Sequence, residues 1–99
     1  MIHSKENSGE DIKEFVKRFR SQDKITTLII VPTTYNHINE EYWIALGVNI
    51  IIYANHLLRS SYPSMLDTAR KILEDSNSVR ASENCISIKE ILTLIPGTK

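Results

Sequence analysis

Two short apolar runs stand out in the pattern of hydrophobic and polar positions along the chain. They cover residues 27–31 and 48–52, and a polar, loop-like segment follows each of them. Runs that are apolar on both faces are typical of strands buried on both faces, as in a parallel sheet. We therefore predict a first strand over residues 25–31, ended by Pro32, and a second strand over residues 48–54.

Helical patterns lie before and between these runs. Residues 8–22 carry an apolar stripe with the spacing of one buried helix face, acidic residues near the start and basic residues near the end. Ser8 is the expected N-cap of this helix. A second, short helix is predicted from Asn39 to Leu46 and closed by Gly47.

The second half of the sequence predicts two more helices. The first runs from the residues after Asn55 to about Asp75, with its regular part beginning near Ser60 or Ser61, because proline at position 63 is tolerated only in a first turn. Residues 76–84 are polar and are expected to form a turn. A capping box over residues 87–90 starts a last helix, which is predicted to end at Pro96 and Gly97.

The order of elements is thus helix, strand, helix, strand, helix, helix, which defines an α/β fold. The connection between the strands is about 15 residues long, which suits a right-handed crossover between parallel strands and exceeds a hairpin turn. We expect one unit over residues 1–99 without an internal domain boundary. Two such strands are too few to close a barrel or to cover a parallel sheet, so the chain is expected to be part of a larger assembly.

Composition excludes several classes of partner. The 99 residues include 12 basic and 12 acidic side chains, so net charge suggests neither a nucleic acid nor an anionic membrane as partner. No run approaches the roughly 20 apolar residues of a membrane span. The first residues lack the apolar stretch of a secretion signal and Cys85 is the sole cysteine, which together favour a cytoplasmic location.

Motifs of known chemistry are absent from the sequence. The three glycines do not form a phosphate-binding loop, and the acidic residues fall on predicted helix surfaces rather than in a metal-ligating pattern. His37 is expected on the surface, and His3 alone is uninformative. Polar residues at the ends of the predicted strands are either functional groups or ordinary turn formers. They are Thr33, Thr34, Tyr35, Asn55 and His56.

Four segments nevertheless resemble one enzyme family. In order and spacing, Met-Ile-His-Ser-Lys at 1–5, Ile-Val-Pro-Thr-Thr-Tyr at 30–35, Ile-Ile-Tyr-Ala-Asn-His-Leu-Leu-Arg at 51–59 and Ser-Ile-Lys-Glu-Ile at 87–91 are similar to the C-terminal third of the phosphoenolpyruvate mutase family. This family belongs to the isocitrate lyase superfamily. The resemblance covers essentially the whole sequence.

The resemblance implies the last two to three βα units of a (β/α)8 TIM barrel, with the final helices exchanged between subunits. It implies a parent isomerase that interconverts phosphoenolpyruvate and phosphonopyruvate with Mg2+, the step that begins phosphonate biosynthesis. His3 and Ser4 match the family's histidine–serine pair, which lies near the phosphoryl and carboxylate groups of the substrate. They are therefore the candidate substrate-binding residues.

The resemblance also implies what this chain lacks. The family's metal-binding carboxylates, substrate-clamping arginine and gating loop come from earlier strands, so we expect no Mg2+ site here and no activity of the 99 residues alone. Because Met1 falls inside what the family has as a continuous strand, we expect a gene remnant, a misplaced start or a part cut from a longer protein. A phosphonopyruvate hydrolase or a methylisocitrate-type carbon–carbon lyase is an alternative parent. A non-catalytic module that self-associates as a dimer or larger oligomer is another.

Overall fold

The structure is a computed structural model that describes residues 1–97. It divides into two compact units, unit 1 over Met1–Asn55 and unit 2 from His56 onward. The expectation of a single domain without an internal boundary stays a prediction. The elements in chain order are α1 Glu10–Gln22, β1 Ile29–Ile30, α2 Glu40–Leu46, β2 Ile50–Ile51, α3 His56–Asp75, α4 Val79–Ser82 and α5 Ile88–Thr93.

Unit 1 contains the predicted parallel β-α-β arrangement. β1 pairs in parallel with β2, so that Ile29 lies opposite Ile50. On the other side of β1, Ile2 forms a parallel bridge with Ile30, and its amide donates to the carbonyl of Ile29 at 2.9 Å. β1 therefore lies between the N-terminal segment and β2, and the parallel pairing predicted from the two apolar runs is confirmed.

Both strands are shorter than the sequence predicts. The first was expected to begin at residue 25, but Asp23 accepts hydrogen bonds from the amides of Ile25 and Thr26 at 2.9 and 2.8 Å. These bonds form a turn that keeps the chain out of the ladder, and Ile25 is 95% exposed. The expectation that both strands are buried on both faces is also wrong for β2. Ile50 is 45% exposed, because among residues 1–97 β2 is an edge strand of the sheet.

The start of α1 differs from the prediction by one residue. Gly9, with φ 75°, is the N-cap in place of Ser8, whose hydroxyl instead accepts from the Glu10 amide at 3.2 Å. A Cβ atom on Gly9 would lie 2.8 Å from Ile38 Cδ1, the movable end of a side chain, so the positive φ rather than this contact is what favours glycine here. α2, in contrast, has the predicted bounds, with Asn39 as N-cap and Gly47 as C-cap.

Two predictions about unit 2 are wrong. The regular part of α3 does not begin near Ser60 or Ser61: the helix begins at His56 and holds Pro63 in its interior. Residues 76–84, expected to form a turn, contain the short helix α4. The predicted capping box of α5 is confirmed, because the Ser87 hydroxyl accepts from the Glu90 amide and the Glu90 carboxylate accepts from the Ser87 amide.

The core of unit 1 forms where α1, α2 and the two strands meet. The Trp43 ring of α2 is fully buried and lies edge-on to Tyr35, with ring centroids 5.6 Å apart. The stripe of α1 contributes as predicted through Ile12 and Val16, whereas Phe15 is 42% exposed. The buried cluster consists of Ile12, Val16, Leu28, Ile30, Tyr35, Trp43 and Val48.

Unit 2 buries very little of its apolar surface. α3 packs against α4, yet Ala81 is the one buried hydrophobic residue among those described in this unit. The guanidinium of Arg80 joins the two helices by donating to Asp75 at 2.9 Å and to Glu74 at 2.8 Å. Among residues 1–97, no helix has the length and apolar character needed to cross a bilayer.

Candidate functional site

The candidate site lies where the N-terminal segment and β1 end at the same edge of the sheet. In parallel α/β folds this carboxyl edge is where ligands bind. His3 and Ser4 directly follow the bridge residue Ile2, and the loop after β1 reaches them. The Thr34 hydroxyl donates to the carbonyl of Ser4 at 2.7 Å, which ties the two loops together. The structure thus brings the two sequence-predicted site residues to one edge.

His3 is exposed and its Nδ1 atom lies 3.3 Å from the carbonyl oxygen of Val31. Because a carbonyl oxygen can only accept, Nδ1 carries the hydrogen of this bond. In a neutral ring the other nitrogen, Nε2, then has a lone pair and accepts hydrogen bonds. Nε2 donates to an anion only when the ring is an imidazolium.

Ser4 is half-buried and has two hydrogen-bond partners besides its backbone contact with Thr34. Its hydroxyl donates to Oδ2 of Asp11 in the first turn of α1, and its oxygen accepts from the amide of Glu6 at 3.0 Å. The Ser4 bond is the largest contribution that lowers the pKa of Asp11 below its ordinary value. The other oxygen of Asp11 accepts from the Ile12 amide at 2.8 Å.

Asp11 is the site residue that the sequence reasoning missed. Its position in the first turn of α1 was sufficiently explained by the helix dipole, and seven positions separate it from Ser4. Serine and aspartate at this separation belong to no local motif. The contact forms because α1 folds back beside the end of the N-terminal segment, so no signal in the sequence alone pointed to it.

The other polar residues at strand ends have mostly structural surroundings. Tyr35 is fully buried in the core, and desolvation is the main cause that raises the pKa of its hydroxyl. The hydroxyl lies near the Val31 amide but forms no hydrogen bond of normal geometry among residues 1–97. Asn55 has φ 54°, the left-handed conformation of a turn former. His37 is exposed, as predicted, and His56 is the first residue of α3.

Metal ligands do not gather at this edge. Across residues 1–97, no three side chains of histidine, cysteine, aspartate or glutamate lie close enough together to hold an ion. The described residues therefore do not fit the Mg2+ of the resembled family. A shallow groove runs along α1 past Phe15 and Phe19; Asp11 lines it, whereas His3 and Ser4 do not.

Comparison with known proteins shows what the chain is similar to. No family model matches the chain. It is 32% identical over 94 residues to "Phosphoenolpyruvate phosphomutase" of Tetrahymena pyriformis, covering 95% of this chain and 30% of that protein. It is 30% identical over 95 residues to "Phosphonopyruvate hydrolase" of Variovorax sp. (strain Pal2), covering 95% of this chain and 32% of that protein.

A solved structure gives the same result for the fold. The crystal structure of phosphoenolpyruvate phosphomutase from Streptomyces platensis subsp. rosaceus matches with a TM-score of 0.83 at 26% identity, covering 93% of this chain and 31% of that one. The chain thus spans less than a third of the length of the relatives named phosphomutase. Along nearly all of its length the chain is therefore similar to phosphoenolpyruvate phosphomutases, and it fits the C-terminal portion of such an enzyme, as its sequence motifs predict.

Proposed function

We propose that this chain is the C-terminal part of an isomerase that interconverts phosphoenolpyruvate and phosphonopyruvate. The observation that carries the proposal is the position of His3 and Ser4 at the carboxyl edge of a parallel sheet, within a segment that matches phosphomutases along nearly all of its length. In the intact parent, these two residues would contact the phosphoryl or carboxylate group of the substrate. The step belongs to phosphonate biosynthesis.

The 99 residues alone are proposed to be inactive. Migration of a phosphoryl group develops enolate-like charge, which an enzyme stabilises with a metal ion or preorganised donors. In the family, Mg2+ and its carboxylate ligands belong to strands that this sequence does not contain. A steady-state assay of the purified chain with phosphonopyruvate and Mg2+ should show no turnover. Mg2+-dependent turnover by the chain would contradict this part of the proposal.

A reconstitution assay tests the function itself. The 99 residues are mixed with the part of the Tetrahymena pyriformis phosphomutase that precedes its matching segment, and conversion of phosphonopyruvate to phosphoenolpyruvate is followed. Activity is expected only with both pieces present, and His3→Ala should abolish it. The control His37→Ala replaces another exposed histidine and should retain it. Equal activity of the two variants would contradict the assignment of His3 as a substrate-binding residue.

A hydrolase parent is the nearest alternative, since the identity to the named hydrolase is 30% against 32% for the named phosphomutase. The two reactions differ in their products. Hydrolysis adds water across the carbon–phosphorus bond and gives pyruvate and phosphate, whereas isomerisation releases no phosphate. Phosphorus NMR of the reconstituted mixture separates them: a growing phosphate signal from phosphonopyruvate identifies the hydrolase. The carbon–carbon lyase stays a further alternative.

Self-association is a second candidate function, favoured by the apolar surface of unit 2. Several large apolar side chains there are more than two-thirds exposed, and folded proteins seldom leave so much apolar area in water. They include Leu57, Leu73, Val79, Ile88 and Leu94. We propose that the chain forms a dimer or larger oligomer by exchanging its final helices. Sedimentation equilibrium should then give at least twice the 11.4 kDa mass of one chain at micromolar concentration.

A further inference from the structure

Ser4 has a single hydroxyl hydrogen, and the structure identifies the group that accepts its hydrogen bond. The Asp11 side chain is a carboxylate under ordinary conditions and can only accept, so the hydrogen of the bond between the two side chains belongs to Ser4. The Glu6 amide occupies one lone pair of the Ser4 oxygen at 3.0 Å. The Ser4 oxygen then has one remaining lone pair, which can accept a hydrogen bond but cannot donate one.

This arrangement conflicts with binding of an anion at Ser4. A phosphonate or carboxylate oxygen needs a donor, and the hydroxyl hydrogen, the one donor of the Ser4 side chain, is already bonded to Asp11. The carboxylate of Asp11 is also negatively charged and would lie beside the incoming group, which adds like-charge repulsion. The backbone of Ser4 is held in place by Thr34, so the residue can change partners only by turning its side chain.

We propose that Asp11 is a positioning residue that takes up the Ser4 hydroxyl hydrogen, so that an anionic ligand must compete with Asp11 for it. The identity of the ligand rests on the function proposed above; the pairing of the two side chains does not. Asp11 sets the resting orientation of Ser4 and weakens anion binding at the carboxyl edge. Its replacement by an uncharged, isosteric side chain should therefore strengthen that binding.

Asp11→Asn is the test variant. The asparagine oxygen can still accept from the Ile12 amide, while its NH2 group can donate to Ser4 and release the serine hydrogen. Binding of phosphonopyruvate to the chain is followed through the amide resonance of Ser4 and the ring resonances of His3. We expect the dissociation constant at neutral pH to fall about tenfold, the effect of one hydrogen bond to a charged group.

Two controls separate this effect from a general change in charge. Glu14→Gln removes a carboxylate from the exposed face of the same helix, where it pairs with Arg18 at 2.7 Å, and measures the electrostatic effect alone. Asp11→Asn in a Ser4→Ala background should give no more than the gain seen with Glu14→Gln. A gain that persists in full without the Ser4 hydroxyl overturns the proposal, as does an unchanged dissociation constant in Asp11→Asn alone.

A second measurement does not depend on the ligand. NMR titration of the Asp11 carboxyl in the native chain and in Ser4→Ala should show a higher midpoint in the variant, because the hydroxyl no longer stabilises the charged form. An unchanged midpoint overturns the positioning role, whatever binds. If phosphonopyruvate leaves His3 and Ser4 unperturbed in every variant while the midpoint rises, the positioning role holds and the proposed substrate site fails.

Discussion

The side chain of Arg20 donates from Nε to the carbonyl oxygen of Gly47 at 2.8 Å, which joins the last turn of α1 to the end of α2. Nη2 also donates to Oδ1 of Asn49 at 2.7 Å, and that same oxygen accepts from the Leu28 amide at 2.8 Å. The guanidinium of Arg20 therefore connects α1 to the end of α2 and to the residues just before β1 and β2. This network lies at the amino ends of the two strands, opposite the carboxyl ends where His3 and Ser4 lie.

Gly47→Ala should destabilise unit 1 through this network. Gly47 has φ 103°, and a Cβ atom there would lie 2.9 Å from Nε of Arg20. We expect a loss of about 2 kcal/mol in the free energy of unfolding, measured by urea denaturation with Trp43 fluorescence.

A double-mutant cycle separates the two causes of that loss. Arg20→Ala alone should cost about 2 kcal/mol, because it leaves the Gly47 carbonyl without this donor and leaves Asn49 Oδ1 with the Leu28 amide alone. In the Arg20→Ala background, Gly47→Ala should cost less than in the native chain, since the steric conflict is gone. Strictly additive losses would mean that Arg20 does not contact position 47 in solution.

The hydrogen bonds of the Asp23 carboxylate predict how the stability of unit 1 depends on pH. Hydrogen bonds from the Thr26 hydroxyl, the Thr26 amide and the Ile25 amide lower the pKa of Asp23 to about 2, from 3.8 without them. A depressed folded-state pKa stabilises the fold above the unfolded-state pKa, and this stabilisation is lost as the pH falls through the folded-state value. The free energy of unfolding should therefore decline between about pH 4 and pH 2.

Asp23→Asn tests the origin of that decline. The variant should be less stable than the native chain at neutral pH and should lose less stability on acidification, as read from urea midpoints at a series of pH values. Glu41→Gln, which removes an exposed carboxyl group from α2, is the matched control and should keep the native slope. A native slope in Asp23→Asn would place the acid sensitivity on other carboxyl groups.

Much of unit 1 could be predicted from sequence, and the exceptions have identifiable causes. The parallel pairing follows from two apolar runs joined by a long connection, and the bounds of α2 follow from Asn39 and Gly47. Strand length was overestimated because the side chain of Asp23 forms a turn with amides that would otherwise enter the ladder. The exposure of Ile50 was missed because a run of apolar residues says nothing about which neighbouring strands are present.

The candidate site was half predictable. His3 and Ser4 were found through resemblance to a family, since an isolated histidine and serine carry no pattern of their own. The part played by Asp11 was hidden, because its contact with Ser4 depends on where α1 lies in three dimensions. A local rule for proline also failed: position 63 was expected in a first turn, yet the helix continues around it.

Pro63→Ala should stabilise α3. A proline in a helix interior lacks the amide that would bond to the carbonyl of Arg59, and it costs up to about 3 kcal/mol relative to alanine. We expect greater helicity by circular dichroism and a gain of about 2 kcal/mol in unfolding free energy of unit 2. Arg70→Ala, an alanine substitution at an exposed position of the same helix, should change little. A loss of helicity in Pro63→Ala would mean that the proline supports the packing of unit 2.

Ser87→Ala should loosen α5. The Ser87 hydroxyl accepts from the Glu90 amide at 3.1 Å, and loss of such a cap costs about 1 kcal/mol. Faster hydrogen exchange at the Glu90 amide is the expected result. Ser78→Ala is a matched control, because Ser78 is the N-cap of α4 and makes no capping bond with its side chain. Equal effects of the two substitutions at their own helices would contradict the capping role of Ser87.

The parallel pairing in unit 1 has a kinetic consequence. Leu28 and Asn49, which join across the strands, are 21 residues apart, and the contact of His3 with Val31 closes a loop of 28. Such loops must close before the pairing stabilises them, whereas the helices of unit 2 form from neighbours along the chain. During refolding, helical signal should therefore arise first, and burial of Trp43 should follow in a slower phase. Between these two phases the strands are still unpaired, and they are then most exposed to association with other molecules.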